Sequence, residues 1–132
     1  MNKEFILYEQ ALALKELGFD EPCFGFYTYK GEIRRYTNFY GELNDFQTLK
    51  NSDITMGDNW CTVPTFSQSF RWFREKYNLH NGIYPYYDEY EFQIKDFRLS
   101  TNTPINGGLM KYEEAELACL DKLIEIVKKQ IK

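Results

Sequence analysis

The segment from Tyr112 to Ile131 constrains the fold more than any other part of this chain. Leu117, Leu120, Leu123, Ile124, Ile126, Val127 and Ile131 recur at helical spacing and define a broad apolar arc. Glu114, Asp121, Lys122, Glu125, Lys128 and Lys129 fill the opposite side. A helix of this kind has to bury its arc against another layer of structure. Glu113, Glu114 and Glu116 stand near its start, and Lys128, Lys129 and Lys132 at its end, an order that suits the helix dipole. Glu125 and Lys129 are spaced for an i,i+4 ion pair.

The remaining elements are read from period and punctuation. A first helix is expected from Glu4 to Leu17, closed by Gly18, with Ile6, Ala13, Leu14, Leu17 and Gln10 on one side and Tyr8 and Leu12 off it. Cys23 to Tyr29 reads as a strand, turned by Lys30-Gly31 into a second strand over EIRRY. Gly25 between Phe24 and Phe26 marks a bulge or a close backbone approach. Pro64 to Tyr77 reads as a helix with Pro64 at its first position. Its stripe is Phe66, Phe70, Phe73 and Tyr77, and Trp72 falls roughly 130° away from it, beside Arg71, Arg74 and Lys76.

Ile83 to Phe97 reads as two strands joined near Asp88-Glu89. Tyr90, Phe92 and Ile94 alternate with polar residues, and Pro85 demotes the first strand to an edge. Residues 98–110 read as a loop. Residues 37–64 have no sustained period; a strand near Phe39 to Leu43 and a turn at Gly57 to Asn59 are expected, anchored by Phe46, Met56 and Trp60. The order predicts an α+β fold in one domain, residues 1–132, with a small antiparallel sheet packed against two or three helices.

Composition bounds the partners. With 11 Tyr, 11 Phe and 2 Trp, 18% of the 132 residues are aromatic, more ring surface than one small core requires. A net charge of -4 makes nucleic acid an unlikely partner and gives no attraction to an anionic membrane. No apolar run approaches the ~20 residues of a membrane span. Glu4, Glu9 and Glu16 interrupt what a secretory signal needs to be apolar. Cys23, Cys61 and Cys119 form neither a CxxC pair nor a disulfide framework, which leaves at most one disulfide and fits a reducing compartment. The cytoplasm is the expected location.

No motif for a nucleotide, metal or nucleophilic mechanism is present, and no cofactor is implied. His80, in the loop NLHNG, is the lone histidine and has no acid partner nearby in sequence. Asp88, Glu89 and Glu91 lack the spacing of a calcium loop and read as a solvated turn. Gly107-Gly108 lacks the other residues of a phosphate loop, and the three cysteines read as packing residues. Glu116 points toward the apolar arc of the last helix. It either overhangs the core edge in water or pairs with Arg34, Arg35, Arg71 or Arg74, or anchors a ligand in a pocket. Arg71, Trp72 and Arg74 suit a protein contact, or a ligand that stacks on the ring and sets phosphate on the arginines. Tyr84, Tyr86 and Tyr87 around Pro85 suit a binding ledge or an edge strand that pairs across a two-fold axis.

Over YEQALALKELGFDEPCFGFY, PTFSQSFRWFREKYNLH and KYEEAELACLDKLIEIVKK the chain resembles a family of small uncharacterised proteins of Bacteroides-type gut bacteria and their phages or prophages. These stretches, Tyr8–Tyr27, Pro64–His80 and Lys111–Lys129, cover somewhat under half of the sequence, and Thr37–Cys61 lies outside the resemblance. It implies a phage-related setting and carries no activity or catalytic residues. The residues point to a non-enzymatic protein-interaction module, through a protein partner or self-association as a homodimer, using Tyr84, Tyr86 and Trp72 with Arg71 and Arg74. The alternative is a small-ligand or nucleotide-like binder.

Overall fold

A computed structural model of the chain describes residues 4–35, 48–98 and 104–131. Across them the fold is α+β, with three α-helices and two three-stranded antiparallel sheets. The chain parts into two units, Glu4–Thr65 and Phe66–Lys132.

In the first unit, helix α1 spans Tyr8–Glu16, later than its periodicity predicts. The preceding residues are drawn into strand-like pairing: Phe5 bridges Thr65, and the Ile6 N–H donates to the Pro64 carbonyl at 3.3 Å. Gln10 Oε1 then accepts from the Leu7 N–H at 3.1 Å and closes the helix start. The helix ends as expected. Gly18 sits at φ 97°, while the Phe19 and Gly18 amides return to the carbonyls of Leu14 and Lys15, a Schellman arrangement.

Strands β1 (Gly25–Tyr27), β2 (Ile33–Arg35) and β3 (Cys61–Thr62) form a sheet in the order β2-β1-β3. Gly25 marks a close backbone approach: a Cβ there would stand 2.8 Å from the Arg34 carbonyl oxygen. The turn at Gly57–Asn59 is present, with the Trp60 N–H bonded to the Gly57 carbonyl at 3.2 Å. Met56 is exposed rather than an anchor, because its loop is fastened through main-chain carbonyls and not through its side chain. The strand expected near Phe39 to Leu43, and Phe46, lie outside the described residues.

In the second unit, helix α2 spans Phe66–Tyr77. Pro64 lies two residues before it, since its carbonyl serves the Ile6 bridge and the backbone there is still extended. Strands β4 (Leu79–Tyr86), β5 (Glu89–Asp96) and β6 (Ile105–Asn106) form a second sheet in that order. Strand β4 starts four residues earlier than its hydrophobic pattern suggests. Asn78, at φ 55°, turns the chain directly from α2 into the sheet, so His80 belongs to a strand rather than a loop. Part of the expected loop 98–110 also joins the sheet: β6 pairs with β5, and Met110 bridges Tyr90.

Helix α3 occupies Tyr112–Ile131, the span its pattern predicts. It packs on β5, β4 and α2, burying Ala115, Cys119, Leu120, Leu123, Ile124 and Val127. Phe92 and Ile94 of β5 are buried, as their alternation requires. Lys129 meets Glu125 at 3.0 Å. Among the described residues no helix is long and apolar enough to cross a membrane.

Candidate functional site

The β4–β5 hairpin presents the exposed tyrosines. Eight cross-strand pairs run from Leu79↔Asp96 to Tyr86↔Glu89, leaving Tyr87 and Asp88 as a two-residue turn. Tyr87 adopts φ 56°, a conformation in which Gly or Asn is the easier choice, and its side chain is 91% exposed. Its ring meets that of Tyr86 edge to face, with centroids 4.9 Å apart. Tyr84 and Tyr86 are both about half exposed and, by strand alternation, share one face of β4. Tyr84 folds back over Gly82: a Cβ on Gly82 would lie 2.6 Å from the Tyr84 ring carbon Cε2. The missing side chain thus lets the ring lie flat along the strand. Asp88 and Glu89 are exposed and Glu91 half-buried beside these rings.

Trp72 is not on a wet face. It is buried, edge to face with Phe73 and Tyr77 at 5.1 and 5.5 Å, and the Lys76 ammonium covers its ring at 5.1 Å. The reason lies in Ser69, which is fully buried. A small residue there carries the buried arc of α2 around from Phe66 and Phe73 to Trp72, where a hydrophobicity pattern counts serine as polar. Arg71 and Arg74 are exposed on α2, where the Arg74 carbonyl accepts the Asn78 N–H at 3.1 Å. The geometry therefore joins Tyr84 with Tyr86, and separates Trp72 from them.

Glu116 is half-buried on α3, and among the described residues no cation pairs with it. Burial, reinforced by the charge of Glu113, pushes its carboxyl above the usual range. His80 Nε2 lies 2.8 Å from Asn78 Oδ1 and its ring 4.3 Å from that of Phe97, which makes it a packed strand residue. No group of three metal-binding side chains occurs among the described residues. All three cysteines are free and buried. Burial lifts the Cys23 thiol to about 11 and those of Cys61 and Cys119 to about 12, away from nucleophilic use at neutral pH.

A concave aromatic surface lies elsewhere, in the Glu4–Thr65 unit. Phe26, Arg34, Arg35, Asp53, Met56 and Trp60 are among the residues around an open groove of about 580 Å³. Phe26 and Trp60 stack with centroids 6.1 Å apart and planes 29° from parallel, and Tyr29 adds a tilted ring 5.9 Å from Trp60. The sequence offered one signal for this groove, Tyr and Phe on both faces of the Cys23–Tyr29 strand. Trp60 is too far along an aperiodic segment to be connected with them. No protein-family model, curated protein or solved structure matches the chain.

Proposed function

We propose that the chain is a non-enzymatic protein-interaction module that works through the β4–β5 hairpin, with a second copy of itself as the partner. The observation that carries this reading is the outer edge of β4. Tyr90 exchanges both of its main-chain hydrogen bonds with Met110, at 2.8 and 2.9 Å, on the β6 side of β5. Its opposite residue on β4, Pro85, therefore occupies a non-bonded pair, where a missing N–H costs the ladder nothing. By the same alternation the N–H and C=O groups of Asn81 and Ile83 are aimed away from β5.

Edge strands are normally blunted by charges or by proline, and β4 carries one such device, Pro85, outside the Asn81–Ile83 stretch. LHNGIYPY carries no Lys, Arg, Asp or Glu over its eight residues. Two such edges running antiparallel bring Asn81 of each copy opposite Ile83 of the other. They also set the acidic tip of one hairpin toward the Lys95 end of the other, so like charges are kept apart. Tyr84 and Tyr86 then extend the contact across the open face. Arg71, Arg74, Trp72 and Glu116 take no part in it. A cytoplasmic, phage- or prophage-related setting belongs to the same proposal, supported by three buried unpaired thiols and by the sequence resemblance.

Sedimentation velocity over a concentration series tests this. The expected species at high concentration has twice the 15.8 kDa chain mass. Tyr84→Lys with Tyr86→Lys, both on the open face, should return it to a monomer with its far-UV circular dichroism intact. A chain that stays monomeric throughout, or a double variant that still dimerises, overturns the proposal.

A further inference from the structure

The groove of the Glu4–Thr65 unit is built before anything enters it. Its Trp60 wall is fastened from behind by α1. The Lys15 ammonium donates to the carbonyls of Gly57, Asp58 and Trp60 at 3.5, 3.2 and 2.7 Å, and the Tyr8 hydroxyl donates to that of Asn59 at 2.6 Å. Four consecutive carbonyls are thus held from one helix. The facing wall is equally fixed: the Ser52 N–H donates to Asp20 at 2.7 Å, and Asn51 is tied to Phe19 and Thr62. Walls that need no ordering spare a ligand that cost.

The chemistry of the lining narrows the occupant. Phe26 and Trp60 offer a flat apolar face, and Arg34 is the direct cross-strand neighbour of Phe26. Among the described residues, Arg34 and Arg35 border the groove, and the Asp53 carboxylate beside them accepts the Lys50 N–H at 2.9 Å. The Arg34 pair with Glu32, 3.0 Å long, has both side chains about half exposed, and a pair of that kind is weak enough for an anion to compete with it. We infer that this groove binds a planar ring carrying an anionic group, of mononucleotide size, with the ring against Trp60 and Phe26 and the anion on Arg34. Its volume lies within the ~300–1,000 Å³ of small-molecule sites. Base identity is not selected, because stacking is tolerant of it.

The two tryptophans make the test self-controlled. In a nitrogen-15 correlation spectrum of the full chain, AMP and UMP are titrated to about 10 mM, with adenosine and inorganic phosphate run separately. The Trp60 indole N–H should shift saturably with both nucleotides while that of buried Trp72 stays in place. Arg34→Gln should weaken AMP about tenfold and leave adenosine unchanged. Trp60→Leu, which keeps an apolar side chain in the wall, should weaken both by about the same factor. Any of three results overturns the inference: no saturable shift from either nucleotide, phosphate alone matching AMP, or Arg34→Gln binding AMP as well as the parent.

Discussion

The two units satisfy their backbone polar groups by different means. Among the described residues of Glu4–Thr65 the strands are two or three residues long, and side chains reach over to complete what the ladders leave open. Tyr27 donates to the Ile6 carbonyl at 2.6 Å, Asn51 donates to Phe19 and accepts from Thr62, and Lys15 gathers three carbonyls. Phe66–Lys132 uses two eight-residue strands and a twenty-residue helix, whose repeating bonds need little such help. One unit depends on particular polar atoms and the other on filled volume. They should therefore fail under different substitutions.

The largest effect is expected at Phe73, fully buried in α2. Phe73→Ala should cost about 4 kcal/mol in urea unfolding, whereas Phe73→Leu, which keeps apolar volume, should cost about 1–2 kcal/mol. Asn51→Leu reverses that leniency. Although the volume is nearly conserved, it strands the Thr62 N–H and the Phe19 carbonyl, and should cost about 3 kcal/mol. A neutral Asn51→Leu would break the comparison. Lys15→Met should cost about 1–2 kcal/mol and speed hydrogen exchange at the Trp60 N–H.

Two smaller effects are read by pH. Hydrogen bonds from Arg98, which meets Asp96 at 2.7 and 2.8 Å, hold the Asp96 carboxyl below its usual range against some opposing burial. A depressed carboxyl contributes stability above its unfolded value and loses it as pH falls through the folded one. Asp96→Asn should thus remove up to about 1 kcal/mol at pH 7 and flatten the acid limb of the stability curve. Glu116 has the opposite sign. Its raised carboxyl favours the fold below the ordinary glutamate range and loses that advantage as pH rises through the folded value. Glu116→Gln should therefore stabilise the neutral-pH protein by a few tenths of a kcal/mol, with no gain once both forms are protonated.

The same contrast explains which parts of the molecule could be read in advance. Helix α3, the Gly18 stop, the hairpin at Gly31 and the alternation of β5 all announce themselves through a period or a turn residue. Trp72 is buried against its hydrophobic pattern because Ser69 is polar by type yet fully buried by position. Strand β4 begins before its hydrophobic pattern does because Asn78, in a left-handed conformation, makes a corner that no period marks. Tyr84 and Tyr86 were recognisable as surface groups beside Pro85. The groove was not, since the loop that brings Trp60 to Phe26 and Arg34 is held by a carbonyl-gathering lysine, and such contacts leave no periodic trace.

The sheet of the second unit is lopsided, with eight residues along β4 and two along β6. Among the described residues, β4 is the long margin of this sheet on which another strand can be laid. If two copies meet there as proposed, each covers the other's β4 margin. Growth of the proposed pair would end at two copies, and an uncharged tyrosine-rich strand that could otherwise seed fibres would be spent in making it.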